Sequence, residues 1–181
     1  MAEHVFDLVV LGGGSGGYSA AIRASELGAK VAIVERDKLG GTCLHRGCIP
    51  TKALLHAAEV ADAVRSPSEI GVDATLTGID ANGLRTYREK IVAKKFAGLK
   101  GLISARGITV IDGEGYLQED RGVRVGADVY RGKNVLLATG SFSKIIPGLE
   151  AGGRILTSEH ALELPEIPRR VVILGGGVIG V

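Results

Sequence analysis

Short apolar runs and longer amphipathic stretches alternate along this chain. Leu8-Val9-Val10-Leu11, behind Asp7, reads as a strand buried on both faces of a parallel sheet. A small-residue stretch through Ala20, Ala21 and Ala24 predicts a helix closing at Leu27-Gly28, with Gly28 as its C-terminal cap. Lys30-Val31-Ala32-Ile33-Val34 is a second strand of the same buried type. Residues 50–64 predict a helix with Pro50 in its first turn and Leu54, Leu55, Ala58, Ala61 and Val64 on its apolar side. Ser66-Pro67-Ser68 ends it, and a loop with Gly71, Gly78 and Gly83 follows. Leu84, Tyr87, Ile91, Phe96, Leu99, Leu102 and Ile103 then recur at helical spacing, with Arg88, Lys94, Lys95 and Lys100 between them. That basic face reads as the solvated side of an amphipathic helix rather than as an anion or nucleic-acid surface. Short strands are expected near 108–111, 122–125 and 134–138, and 170–174 is again an apolar run of strand type.

What lies between the first two strands carries chemistry. Gly12, Gly14 and Gly17 supply the glycines of a G-x-G-x-x-G pattern, with Ser15 inside it, directly after the first apolar run. Glu35 stands at the end of the second. Such glycines allow a tight turn, close approach of backbone to a pyrophosphate and close helix–strand packing, while the acid suits ribose hydroxyls. Glycines alone are a weak signal, but strand, glycines, helix, strand and acid within about thirty residues are a strong one. A carboxylate at 35 repels a 2′-phosphate and disfavours NADP at this first site. Arg36 reads as a solvated neighbour and is kept among the cofactor-side candidates.

The pattern returns near the other end. Gly175, Gly177 and Gly180 follow Val171-Val172-Ile173-Leu174 in the same register, and the sequence stops at Val181 before any helix or acid can follow. The second site is therefore expected to be cut short, its strand left as an exposed edge or tail.

Both cysteines, Cys43 and Cys48, lie in Gly40-Gly41-Thr42-Cys43-Leu44-His45-Arg46-Gly47-Cys48-Ile49-Pro50-Thr51-Lys52. Five positions apart in a regular helix, their Cα atoms would be roughly 8–9 Å apart, whereas a disulfide needs less than about 7 Å. A bond between them requires an irregular turn, which Gly47 permits. The helix expected from Pro50 favours negative charge near its start. A working redox pair fits best. Other readings stay open: a structural disulfide closing a small loop, inert thiols, or a metal site from Cys43, His45, Cys48 and His56, whose spacing matches no common zinc pattern.

Composition narrows the class a little. At 181 residues one ordinary domain is expected; the 28 glycines go largely to the motifs, and a net charge of +2 argues neither for nor against nucleic acid. Acids at Glu3 and Asp7 and the glycine run argue against a signal peptide, and no segment is apolar enough to span a membrane. A cytoplasmic chain is expected, where one closely spaced cysteine pair is more often catalytic or metal-binding than stabilising.

With two glycine patterns and a C-x4-C between them, the first sixty residues resemble the flavoprotein disulfide reductases. Within these, GGTCLHRGCIPTK is similar to the bacterial dihydrolipoamide dehydrogenase family. Leu136-Leu137-Ala138-Thr139-Gly140-Ser141 with Pro147-Gly148 resembles the segment that closes the FAD domain of that family. Thr157-Ser158 through Ala161-Leu162 resembles entry into its NAD domain. Ser143 departs from a common proline, a harmless turn variation.

The resemblance implies an α/β fold. Residues 1–150 would form a Rossmann-like FAD-binding domain, a parallel sheet with helices and a small antiparallel β-meander, carrying the redox-active disulfide. Residues 151–181 would be a linker and the truncated start of a NAD-binding domain, with its first strand. The implied catalytic residues are Cys43, Cys48 and Lys52, the lysine standing beside the flavin ring. FAD contacts fall to Gly12, Gly14, Ser15, Gly17, Glu35, Arg36, Gly41, Thr42, Cys43, Lys52, Gly115, Ala138, Thr139 and Gly140, and NAD contacts to Gly175, Gly177 and Gly180. No metal is implied. His45, His56 and His160 are read as non-catalytic.

The implied reaction is a dithiol-to-NAD relay. Reduced lipoamide attacks at Cys43, Cys48 becomes the thiolate next to the flavin, and electrons leave to NAD⁺. Partners would be the lipoyl group of a 2-oxo-acid dehydrogenase complex acyltransferase and a second subunit in a homodimer, with neither nucleic acid nor membrane. The family's catalytic base and dimer domain are not among these residues, so the chain alone is expected to lack lipoamide turnover. Two alternatives remain: a mercuric, mycothiol or glutathione-type reductase, and a non-catalytic FAD-binding module with idle cysteines.

Overall fold

The computed structural model describes residues 3–65 and 71–180. Its centre is β1 (Glu3–Leu11), which pairs in parallel with β2 (Val31–Glu35) on one side and with β6 (Asp128–Leu137) on the other. β3 (Thr109–Asp112) extends the parallel sheet beyond β2, while β5 (Val123–Val125) and β4 (Gly115–Leu117) continue antiparallel beyond β6. The strand order is β3-β2-β1-β6-β5-β4.

The continuous apolar runs follow from burial on both faces. Val10, Val31 and Ile33 face one way, with Ala21 of α1 (Ser15–Glu26) and Ile103 of α4 (Ala81–Ala105). Val9, Ala32 and Val34 face the other, against Phe6 and Val123. On that second face β4 comes close: a Cβ on Gly115 would meet Leu11, Val34 and Val123 side chains at 2.6–3.1 Å. α1 ends as expected, with Gly28 just past it at φ +84°.

The cysteine segment is irregular. α2 (Gly41–His45) ends at Arg46, Gly47 follows, and α3 (Cys48–Arg65) starts two residues before Pro50. The helix expected over 50–64 therefore forms, but its buried residues are Pro50, Ala53 and Ala61, whereas Leu55 is exposed. The Ser66-Pro67-Ser68 stop lies outside the described residues. Gly83, expected in a loop, falls within the first turn of α4. The strand of 134–138 begins earlier, at Asp128, because the whole of β1 offers it a parallel partner. β4 was not expected; three residues carry too little pattern to be read.

The chain divides into two units, Met1–Cys48 with Val92–Ser141, and Ile49–Ile91 with Phe142–Val181. The first holds the sheet. In the second, Arg88 is buried, contrary to its expected place on a solvated face. Its guanidinium donates to the Leu162 carbonyl and lies 3.6 Å from Glu163 and 3.4 Å from Glu89. Leu162 closes α5 (Ser158–Leu162), which opens with a reciprocal cap between Thr157 and His160. Residues 170–174 pair with no strand among the described residues, and Val171, Val172, Ile173 and Leu174 are exposed. A strand needs a neighbour to take its backbone hydrogen bonds, and no described segment supplies one.

Candidate functional site

The site is built where β1, β2 and β6 end, because three parallel strands open their carboxyl ends on the same edge. Gly12 leaves β1 at φ +106°, donating its N–H to the Val34 carbonyl at 2.8 Å. A Cβ there would overlap the Ala138 carbonyl, so glycine is obligatory. Ala138 in turn donates to the Leu11 carbonyl at 2.8 Å, which sets Ala138 and Thr139 against the turn; Gly140 follows at φ +79°. Gly17 has a different task. A Cβ on it would overlap the Gly12 carbonyl and press on Val10, so glycine here lets α1 lie against β1.

Gly14 has no such internal reason. Its backbone is extended, and a Cβ would meet nothing nearer than the Gly41 Cα at 4.0 Å. It caps α1 without a side-chain hydrogen bond, and the first turn, from Ser15, contains no acid. The N–H groups of that turn are thus uncapped by side chains, next to open room beside a glycine. An anionic pyrophosphate fits such a cradle.

Glu35 closes the turn from β2. Its Oε2 accepts the Gly13 N–H at 2.6 Å and its Oε1 the Asp37 N–H at 2.9 Å. Each oxygen retains a lone pair for a hydroxyl donor. Arg36 turns away to Glu114 at 3.3 Å. Gly115 has a packing reason of its own in the side chains it faces.

The cysteine segment is fastened to the glycine turn by backbone. Gly40 and Gly14 form a parallel bridge, and the Gly40 N–H donates to Gly13 at 2.8 Å. Gly40 and Gly41 both have positive φ, +104° and +55°. Thr42 and half-buried Cys43 lie on α2; Cys48, exposed, opens α3. Lys52 is exposed on α3, one turn beyond Cys48. Gly47 sits close over Thr42: a Cβ would come 3.1 Å from its carbonyl. His45 is used structurally, its Nε2 2.9 Å from the Leu39 carbonyl and its ring edge-on to Phe96. Arg46 pairs with Asp37 at 2.7 Å.

The turn thus gathers Gly12, Gly14, Ser15, Gly17, Glu35, Gly41, Ala138 and Thr139. Gly175, Gly177 and Gly180 form a turn of their own in the second unit. Gly175 has φ +106°, the value found at Gly12, and a Cβ on Gly180 would overlap the Gly175 carbonyl, as at Gly17 and Gly12. Gly13, whose amide holds Glu35, escaped the sequence reading, since an "x" in the pattern gives no signal of its backbone role.

A parallel sheet with this glycine turn and this acid is a Rossmann-like dinucleotide-binding fold. The chain belongs to the pyridine nucleotide-disulphide oxidoreductase family, which it matches over residues 6–181. It is similar to a dihydrolipoyl dehydrogenase of Bacillus subtilis, 42% identical over 97% of this chain and 40% of that protein. A Staphylococcus aureus dihydrolipoyl dehydrogenase is 40% identical over 96% of this chain and 38% of its own length. Among solved structures, the HOCl-induced flavoprotein disulfide reductase RclA of Escherichia coli matches with a TM-score of 0.79 and 27% identity, over 96% of this chain and 38% of that one. The chain spans about two-fifths of the length of these curated relatives.

Proposed function

We propose that this chain carries the FAD-binding and thiol-exchange part of a disulfide oxidoreductase that oxidises dihydrolipoamide with NAD⁺. The observation that carries the reading is the backbone closure of Gly40-Gly41 onto Gly13-Gly14, which ties the cysteine segment to the dinucleotide turn. The turn from Gly12 to Gly17 would hold the pyrophosphate, Glu35 the ribose hydroxyls, and Gly41, Thr42, Ala138, Thr139 and Gly140 the flavin end, with Arg36 and Gly115 bordering the adenosine. FAD supplies two-electron transfer between a dithiol and a nicotinamide. Gly175, Gly177 and Gly180 would take the pyrophosphate of NAD.

The thiol chemistry belongs to the chain's own residues. In the oxidised protein, where Cys43 and Cys48 would be joined as a disulfide, a substrate thiolate attacks the Cys43 sulfur and Cys48 leaves as thiolate. The second substrate thiol then displaces Cys43, so the substrate becomes a disulfide and both cysteines are reduced. Lys52, one turn after Cys48, places a positive charge on the same helix face, which favours the leaving thiolate. Arg46 and Gly47 break the helix between the cysteines and allow the approach that a regular helix forbids.

The proposed domain division is 1–150 for the FAD domain and 151–181 for the linker and start of the NAD domain. The proposed partners are the lipoyl group of a 2-oxo-acid dehydrogenase acyltransferase and a second subunit, in the cytoplasm. Among the described residues no helix is long and apolar enough to cross a membrane. A second reading, a reductase for another disulfide, is favoured by the likeness to the HOCl-induced reductase.

The test is an absorbance spectrum of the purified protein with FAD, before and after one equivalent of dihydrolipoamide without oxygen. A flavin spectrum that gains a long-wavelength band, absent in Cys48→Ser, supports the proposal. A flavin spectrum indifferent to dithiol in both proteins refutes thiol–flavin exchange. Reaction with another dithiol but not with dihydrolipoamide favours the second reading.

A further inference from the structure

Within the second unit α3, the start of α4 and the segment after α5 enclose a cleft of about 320 Å³. That is within the usual range of small-molecule sites, roughly 300–1,000 Å³. Leu54, Leu84 and Leu164 contribute apolar walls, and none of the residues placed in the redox site lines it. Two arginines do, Arg85 and Arg88, three apart on α4 and so on one face.

Their situations differ. The Arg88 guanidinium is buried and committed to the Leu162 carbonyl and to Glu89 and Glu163. Arg85 is half-buried, and among the described residues its guanidinium makes no hydrogen bond or ion pair. Glu166 also borders the cleft and forms no ion pair with it. A guanidinium held beside apolar walls is a fork that matches a planar carboxylate. A neutral apolar ligand would leave it unsatisfied, and a strongly polar one would waste the walls.

We propose that this cleft binds an apolar monocarboxylate, its chain along Leu54, Leu84 and Leu164 and its carboxylate on Arg85. Glu166 opposes the anion and limits affinity. The site is separate from the thiol chemistry, so its test does not depend on flavin or on activity.

Octanoate and 1-octanol share an apolar body and differ in the group that would meet Arg85. The protein is titrated with each, followed by heat and by amide chemical shifts. Saturable binding of octanoate at one site is expected, with shifts confined to the cleft residues. Arg85→Gln should weaken octanoate about tenfold or more, the scale of a charge-assisted hydrogen bond, and leave octanol unchanged. Glu166→Gln should tighten octanoate severalfold. Ala58→Phe, which fills the cleft from an exposed position without touching charge, should abolish both. Equal affinity for acid and alcohol, an Arg85→Gln protein that binds octanoate normally, or no saturable binding overturns the proposal.

Discussion

Gly41 stands so close to Gly14 that a Cβ on Gly41 would come 2.8 Å from the Gly14 Cα. The relationship is one-sided. From Gly14 the same gap is an ordinary 4.0 Å, because a Cβ there would point into open room. Gly41 also has φ +55°, a left-handed conformation costly to other residues. Gly41→Ala should therefore lower stability by about 1–3 kcal/mol, from strain plus the contact. Gly14→Ala should stay within about 0.5 kcal/mol of wild type. If Gly14 borders a pyrophosphate, its alanine variant will nonetheless lose FAD. Denaturant unfolding and flavin fluorescence on the two variants separate the effects.

Asp7 joins the three central strands. It sits in β1, accepts the Lys30 N–H ahead of β2 at 2.8 Å and meets the Lys133 Nζ in β6 at 2.7 Å. The Lys133 hydrogen bond, then the Lys30 amide, holds its carboxyl below the ordinary 3.8. Arg131 of β6 does the same for Asp120, in the turn between β4 and β5, with a 2.6 Å contact. A carboxylate depressed in the folded state contributes stability above its unfolded value and loses it as pH falls through the folded one. The gap in stability between wild type and Asp7→Asn should be constant well above 3.8 and close as pH falls through the lowered value of the folded state. A gap independent of pH would show that the charge plays no part.

Residues 7–11 and 31–34 were legible because a strand buried on both faces shows an unbroken apolar run. The glycine turn was legible because backbone collisions at Gly12 and Gly17 admit no side chain. The fastening of Gly40-Gly41 to Gly13-Gly14 was not, since it is made by backbone groups 27 residues apart, and no side-chain pattern announces which glycines will meet. Arg88 was misread for a related reason. Helical spacing put it among lysines, but what buries it is a carbonyl 74 residues later in the chain.

The two glycine turns allow a clean comparison of local and global effect. Gly17 lies in the first turn of α1 against the core strand β1, whereas Gly180 lies beside Ile173, which is exposed. In both alanine variants the new Cβ would collide with the carbonyl five residues earlier, that of Gly12 or of Gly175. Gly17→Ala should cost about 3 kcal/mol or more, since neither α1 nor β1 can yield without opening the core. Gly180→Ala should leave the melting temperature unchanged and shift only amide resonances of 173–180. A large loss of stability in Gly180→Ala would mean that the second turn is packed in solution more firmly than its exposure indicates.

Arg88 fastens α5 to α4 through one buried guanidinium. Replacing it with methionine keeps the length of the apolar stem but leaves the Leu162 carbonyl, at the end of α5, without its donor. Glu163 and Glu89 lose a cation as well, but both are largely solvated, so that loss is minor. Arg88→Met should cost about 1–3 kcal/mol, the penalty for a donor removed from a buried hydrogen bond. Lysine, with one point charge in place of a fork, should recover only part of it. Hydrogen exchange gives the decisive reading: amides of α5 and the Thr157 cap should lose protection in Arg88→Met, while those of β1 and β2 keep theirs. Uniform loss across the sheet would assign Arg88 to the global core and not to fastening α5.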